Sequence, residues 1–486
     1  MKKYYIFVIL ILLLGLGCTN CFYKEMNAKD EVIKNGSYKA ESPAEYENSN
    51  NLWKEGGEKM NRLIINVDKT YQTIESFGTS GCWWAQYVGG WDNEYKDTGR
   101  SVREEIAMLL FDRDYGIGLT NYRYNLGGGS EDSGKGNFKD PQRRASSFEI
   151  APFVYDWPKD ANAFWFLKKA VELGVQEVVL FCNSPLERLT VNGLAHMTPD
   201  TRVNLLPENY DDFARYVMDV AEHFVEEGIP VRFISPINEP QWDWFGGQEG
   251  CHYEPTEVVG VYKAFLKELE SRPSLAGVKL SGPESGEWKG KAIAYTSAIL
   301  NDQVLKEHFT TIDNHSYWTN AEEKRSFKNW MNAFHPEVKL RMSEWCEMVN
   351  GSDYTMDSAF HLAEEIVEDL TILEVVSWAS WVAVAPGGYR DGLIYVNEKN
   401  QSMEITRRLW AFGNYSKFIR PGYIRVDVKG ERNLKELKPV AFKGVNEANK
   451  EELVVVLVNE SDATKEFMID LNQSNEYNKI YIYETS

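Results

Sequence analysis

Between Phe77 and Ala385 short apolar runs alternate with longer amphipathic stretches, the pattern of a repeating βα unit. Eight candidate strands can be counted, ending near Gly78, Asn125, Asn183, Glu239, Glu284, Tyr317, Glu344 and Trp381. Helix-like segments lie between them. In Asn209–Gly228, for example, Phe213, Tyr216, Val217, Val220 and Phe224 recur every three or four residues and present one apolar stripe to a sheet. The pattern predicts an α/β fold, a (β/α)8 TIM barrel. Ahead of it, Leu63–Ile74 alternates apolar and polar residues around Asp68, Lys69 and Thr70, which predicts two short strands and a turn. After Arg407 alternation returns in GYIRVDV, KPVAFKG, ELVVVLVN, EFMIDL and KIYIYET. These segments predict an appended antiparallel β-sandwich side domain, completed by the strands before Phe77. The expected division is therefore 61–76 for the first sandwich strands, 77–406 for the barrel and 407–486 for the rest of the sandwich.

The N-terminus reads differently. Met1, Lys2 and Lys3 precede an apolar run from Tyr4 to Gly17, the charged start and short hydrophobic stretch of a secretory signal over residues 1–21. The run is too short for a convincing membrane span. Cys18 follows Gly17 directly and offers a lipid-attachment site of the bacterial lipoprotein type, with Gly15 where that pattern carries leucine. The expected location is thus secreted or lipid-anchored at a bacterial cell surface, with Cys18 the only membrane attachment. Residues 22–60, rich in Glu, Lys, Asn and Ser without periodicity, read as a flexible polar tether.

Composition narrows the partners. Of 486 residues, 43% are hydrophobic and 26% charged, enough for a large core, and 73 acidic against 53 basic residues give a net charge of -20. Nucleic acid and anionic membranes are poor partners for such a surface, whereas a neutral substrate suits it. Beyond Cys18 and Cys21, the cysteines at 82, 182, 251 and 346 are widely spaced and read as small buried thiols. No H-x-H or H-E-x-x-H pattern occurs among seven histidines, so neither a metal nor a cofactor is expected.

In a TIM barrel the residues closing a strand at its C-terminal end face the site. Two strands close on a carboxylate beside aromatic rings: VRFISPINEPQWDW through Asn238, Glu239 and Pro240, and KLRMSEWCEM through Ser343, Glu344 and Trp345. They are the fourth and seventh strands, on opposite sides of the mouth, and two carboxyl groups so placed can flank a glycosidic bond. Most glutamates are solvated surface charges. A glutamate after an apolar run, between Asn and Pro, is not a typical solvated position. Glu284 and Glu347 also close strands but lack that context and read as supporting residues. The glycines Gly127–Gly129 lack the Lys-Ser/Thr of a phosphate loop and read as a tight turn at the barrel rim.

At this point the chain resembles glycoside hydrolase family 30. The likeness runs from about Leu63 to the C-terminus and rests on ESFGTSGCWWA, YRYNLGGGS, CNSPLERL, INEP, SEW and NYSKFIRPG, in that order. It implies a barrel with a side β-sandwich, Glu239 as acid/base and Glu344 as nucleophile. It implies Asn238 on the sugar hydroxyl beside the anomeric carbon, with a strand-end cap as the alternative. Arg123 would hold Glu344 ionised or form an ordinary ion pair. Asn183, in CNSPLERL, joins the expected substrate-binding set. His315 and Tyr317 alternate at the end of the sixth strand, so both can face the mouth, unless the histidine is core. Among tryptophans 83, 84, 242, 244, 345, 378 and 381 at strand ends, Trp84 and Trp378 are the expected subsite walls, the rest including plain core. The GTSGCWWA and RYNLGGGS stretches look most similar to the endo-β-1,6-galactanase branch. The expected protein is a secreted, retaining endo-glycosidase acting on β-linked polysaccharide, with β-1,6-galactan first and β-1,6-glucan or xylan as alternatives. A non-catalytic surface glycan-binding protein is the alternative of another class, and it would have no need of an acid and a nucleophile. Family sandwiches usually continue past the strand matching KIYIYET, so this sandwich is expected to lack its last strand, while the oligomeric state stays open.

Overall fold

The computed structural model describes residues 62–430, 436–459 and 467–471, and the backbone alone of the strands Tyr5–Phe7, Ile11–Leu14, Tyr477–Tyr481 and Glu484–Thr485. Of the expected signal, only the first two of these strands are described, and both pair with the strand Glu451–Asn459. Cys18 and the expected tether over 22–60 lie outside the described residues.

Eight parallel strand positions form the barrel. They are Ser76–Ser80, Asn121–Leu126, Glu177–Cys182, Val231–Ser235, a fifth in two pieces (Lys279–Leu280 and Pro283–Ser285), Thr311–His315, Lys339–Trp345 and Ser377–Ala385. The eighth pairs with the first, and the fifth joins the two halves of the sheet: its first piece pairs with the fourth strand and its second with the sixth. A helix follows each strand, from Val102–Phe111 round to Arg407–Ser416. Strand residues are buried almost throughout, as a parallel sheet wrapped by helices requires. In the helix Tyr210–Glu226 the buried set includes Phe213, Tyr216, Val217, Val220 and Phe224, the expected stripe.

Two boundaries differ from expectation. The change to side-domain strands comes at Ile424, because Arg407–Ser416 is the eighth barrel helix. All but one of its ten residues are buried, so it shows no polar face that would mark a helix. Ahead of the barrel, the two expected strands are one, Arg62–Thr73, paired with Ile424–Gly430. Asp68, Lys69 and Thr70 do not turn the chain; they are absorbed where the register slips between Val426↔Thr70 and Asp427↔Asn66, and Lys69 Nζ donates to Asp427 at 2.9 Å.

The side domain is built on one nine-stranded, mostly antiparallel sheet, in which Met468–Leu471 runs parallel to Arg62–Thr73. Its strand Glu451–Asn459 is buried on both faces. Leu453, Val455 and Leu457 pack with Leu63, Ile65 and Val426, while Val454, Val456 and Val458 join the barrel's core. That double burial accounts for the unbroken run LVVVLV where alternation would otherwise show.

Candidate active site

Glu239 lies four residues past the fourth strand, in a left-handed backbone conformation (φ 45°). The conformation is held from two sides: its amide donates to the Glu284 carbonyl at 2.9 Å, and the Trp244 indole donates to its carbonyl at 3.1 Å. Glu284 (φ 57°) and Trp318 (φ 48°), at the ends of strands five and six, share the left-handed region. Such conformations cost about 1–3 kcal/mol each in a residue with a Cβ and concentrate where a side chain must be aimed. Glu344 is aimed by a different device. The register between strands six and seven slips so that Asn314 faces Met342 but His315 faces Glu344, which lets the consecutive Ser343 and Glu344 both reach the centre.

The centre is a buried charge cluster. Arg123 Nη1 donates to Glu344 Oε2 at 3.0 Å, and its Nη2 lies 3.4 Å from Glu284 Oε2. Tyr317 OH donates to Glu344 Oε1 at 3.1 Å. The His315 ring sits among three carboxylates, Nδ1 at 3.2 Å from Glu239 and 3.5 Å from Glu344, Nε2 at 3.0 Å from Glu284. One oxygen of Glu239, one of Glu344 and a His315 nitrogen all fall within 4.8 Å of one another. Burial alone would strip His315 of its proton, but Glu344, Glu239 and Glu284 outweigh it and push the ring up to about 10. Burial would likewise raise Glu284, yet Arg123, His315 and Ser343 hold it down at about 2. At Glu344 burial prevails over the His315 and Arg123 cations and, with Glu239 adding to it, leaves the carboxyl above its ordinary value. Because Arg123 and protonated His315 already stand among these carboxylates, a metal cation there would face two positive charges.

Glu284 is the supporting residue its sequence context suggests, and it touches both cations. Glu284→Gln is expected to let the His315 proton go at lower pH than in the parent, read from the imidazole nitrogen shifts in an NMR titration. A raised histidine stabilises the fold fully below its unfolded value of about 6.5 and loses that contribution as pH climbs through the folded value. The His315 part of the stability gap between parent and variant should therefore be widest below pH 6.5 and close as pH approaches about 10. An unmoved His315 titration would refute the coupling.

The remaining expected residues divide. Asn238 and Asn183 are both buried at the centre, but they are linked to each other. Asn238 Nδ2 donates to Asn183 Oδ1 at 3.1 Å, and Asn183 Nδ2 donates to Asn125 Oδ1 at 3.1 Å. Asn183 is therefore spent on its neighbours and holds them in place. The free ends of this amide relay, Asn238 Oδ1 and Asn125 Nδ2, are buried and have no partner among the described residues, as groups waiting for a hydroxyl would be. Asn125 is a site residue that sequence reasoning missed, although it stands two places beyond Arg123 on the same strand face.

Trp84 and Trp378 are corrections. Both are fully buried. Trp84 opens a short helix that turns it outward onto Phe166, its indole donating to the Ser80 carbonyl. Trp378 points from the eighth strand toward the helices, against Phe412, and donates to Asp369. They are core, not subsite walls. The aromatic residues at the mouth are instead Trp83 edge-on to Trp381, and Trp242 edge-on to Trp318. Glu347, bound by Ser358, His361 and Arg390, anchors the loop after the eighth strand. The glycine run is a tight rim turn: a Cβ on Gly127 would meet the Ser146 carbonyl at 2.3 Å, and one on Gly128 the Pro185 carbonyl at 2.7 Å. The anion in its amide cradle is the chain's own Glu249, which accepts from Gly128 and Ser130.

Known proteins resemble this chain. An endo-β-1,6-galactanase of Hypocrea rufa is 25% identical over 394 residues, 74% of this chain and 75% of its own. An exo-β-1,6-galactobiohydrolase of Bifidobacterium longum is 24% identical over 64% of this chain and 26% of its own length. Among solved structures, a conserved exported protein of Bacteroides fragilis superposes with a TM-score of 0.73 at 25% identity, covering 87% of this chain and 99% of that one. The model of O-glycosyl hydrolase family 30 matches residues 60–395, well over half of the chain. With a carboxylate at the mouth of each of strands four and seven and this match across the barrel, the chain belongs to O-glycosyl hydrolase family 30.

Proposed function

We propose that the chain is a secreted, retaining endo-glycosidase that cleaves β-1,6-galactan, with Glu239 as acid/base and Glu344 as nucleophile. The observation that carries the mechanism is the approach of the two carboxyl groups: an oxygen of each lies within 4.8 Å. Retaining enzymes hold their carboxyls roughly 5–5.5 Å apart, whereas inverting enzymes leave about 6.5–9.5 Å for a water. In the first step Glu239 gives its proton to the leaving oxygen as Glu344 bonds to the anomeric carbon. In the second, Glu239 takes a proton from the incoming water, which displaces Glu344 with a second inversion. Arg123 and Tyr317 fix Glu344 for attack, and His315 orients Glu239. Asn238, whose buried Oδ1 has no partner among the described residues, would accept from the hydroxyl beside the anomeric carbon.

The galactan is supported by the likeness to the Hypocrea rufa enzyme across three-quarters of both chains. Secretion is supported by the charged and apolar N-terminal run. The test is incubation with debranched β-1,6-galactan, β-1,6-glucan and glucuronoxylan, following products by NMR from the first seconds. Galactan should be cut fastest, with the β-anomer appearing first and mutarotating later. An α-anomer first would remove the nucleophile role, and a preference for another polymer would remove the galactan.

A further inference from the structure

Two large aromatic side chains at the barrel mouth are left uncovered. Trp242 is 38% exposed and Trp318 is 52% exposed, while most of the chain's other tryptophans are buried or partly so. Their rings meet edge to face, 5.6 Å between centroids and 84° between planes. Neither belongs to a loose loop. The Trp242 amide donates to the Glu239 carbonyl at 3.3 Å. Trp318 leans on Tyr317 at 5.4 Å, its carbonyl accepts from Lys289 Nζ, and its backbone is in the left-handed region. A strained backbone that presents an indole to water is costly twice over, in conformation and in exposed apolar area, and such costs persist where the exposed face is used.

Position gives the pair its direction. Trp242 follows Glu239 by three residues, and Trp318 follows the sixth strand, so the pair stands over strands four to six. The free amide end of Asn125, on strand two, and the edge-on Trp83 and Trp381, after strand one and on strand eight, stand on the other flank. Glu239 faces the oxygen that departs, so what lies beyond it on its own side is the leaving part of the chain.

We propose that Trp242 and Trp318 form a binding site for the pyranose on the leaving-group side of the cleaved bond, one ring stacked on the sugar's C–H face and the other closing its edge. This rests on the retaining reading above and deepens it: a site for sugar beyond the bond is what lets an enzyme hold an internal stretch of polysaccharide. No covalent step is added.

The test separates substrates by what leaves. On β-1,6-galactan the departing sugar needs the platform, whereas on the β-galactobiosyl fluoride fluoride departs and no sugar lies on that side. Trp318→Ala and Trp242→Ala should each lower kcat/KM on the polymer about tenfold, chiefly through KM, the size expected of one aromatic contact. On the fluoride either loss should be several-fold smaller. Trp318→Phe should recover most of the polymer rate, and because both side chains are exposed the variants should melt with the parent. Equal losses on both substrates, or none on the polymer, overturn the platform. Failure of the galactan reading shows separately, as a parent inactive on galactan and its fluoride. The comparison is then run on whichever of β-1,6-glucan or glucuronoxylan the parent cleaves, with the matching glycosyl fluoride.

Discussion

Replacing Glu344 with glutamine is expected to lower kcat on polysaccharide on the order of 10⁴-fold or more while changing substrate affinity by no more than about threefold. Glutamine keeps the shape of the side chain: its carbonyl oxygen can still accept from Arg123, which donates to Glu344 Oε2 at 3.0 Å, while its amide nitrogen can donate to the Tyr317 oxygen, which stands 3.1 Å from Glu344 Oε1. It cannot form the glycosyl ester. Removing one member of a buried ion pair can destabilise by about 3–5 kcal/mol when the partner is left alone. Neither cation is left alone here: Arg123 keeps Glu284 at 3.4 Å, and His315 keeps Glu284 and Glu239. The variant should therefore fold and bind, and the two measurements together are decisive. Calorimetric binding of galactan oligosaccharides with turnover at the level of background hydrolysis is the expected result. Parental turnover would end the assignment, and lost binding would mean that Glu344 holds the substrate rather than attacking it.

Glu239 and Glu344 were legible in the sequence because each follows a strand-like run beside aromatic residues, INEPQWDW and MSEW, at the strand end where a TIM barrel carries its site. His315 and Tyr317 were legible from alternation, and the structure places both against the carboxylates. The tryptophans failed the same logic. In a parallel sheet covered by helices both strand faces are buried, so a Trp at a strand end can point inward to the site or outward to a helix with no change in pattern. Trp378 points outward to Phe412, and Trp84 is turned out by a five-residue helix. The helix Arg407–Ser416 was hidden for a related reason, since burial on nearly every side leaves no amphipathic stripe to read. Glu284 was read as a supporting residue, but what it supports was not legible. Its fifth strand is only three residues there, and nothing local reveals that Arg123, His315, Ser235 and Ser343 converge on it from four other strands. Contacts of that kind are set by barrel closure, which no window of sequence contains.

Glu239→Ala is expected to divide substrates by leaving group. A sugar hydroxyl leaves poorly without a proton, so hydrolysis of β-1,6-galactan should fall about 10²- to 10⁴-fold, the contribution usual for a placed general acid. Fluoride needs far less help to leave, so Glu344 should still be glycosylated by the galactobiosyl fluoride, and the variant should stall at the second step, where Glu239 would have drawn a proton from water. Azide needs no base. The cavity left by the missing carboxyl lies against the His315 ring, which keeps Glu284 at 3.0 Å and Glu344 at 3.5 Å and so remains charged. A small anion is drawn to that place. Millimolar azide should restore turnover of the fluoride and release the β-galactobiosyl azide, because attack on the ester inverts a centre that Glu344 has already inverted once. An α-azide would mean that no covalent intermediate preceded it. Equal loss on galactan and fluoride, with no response to azide, would mean that Glu239 supports the fold of the mouth and transfers no proton.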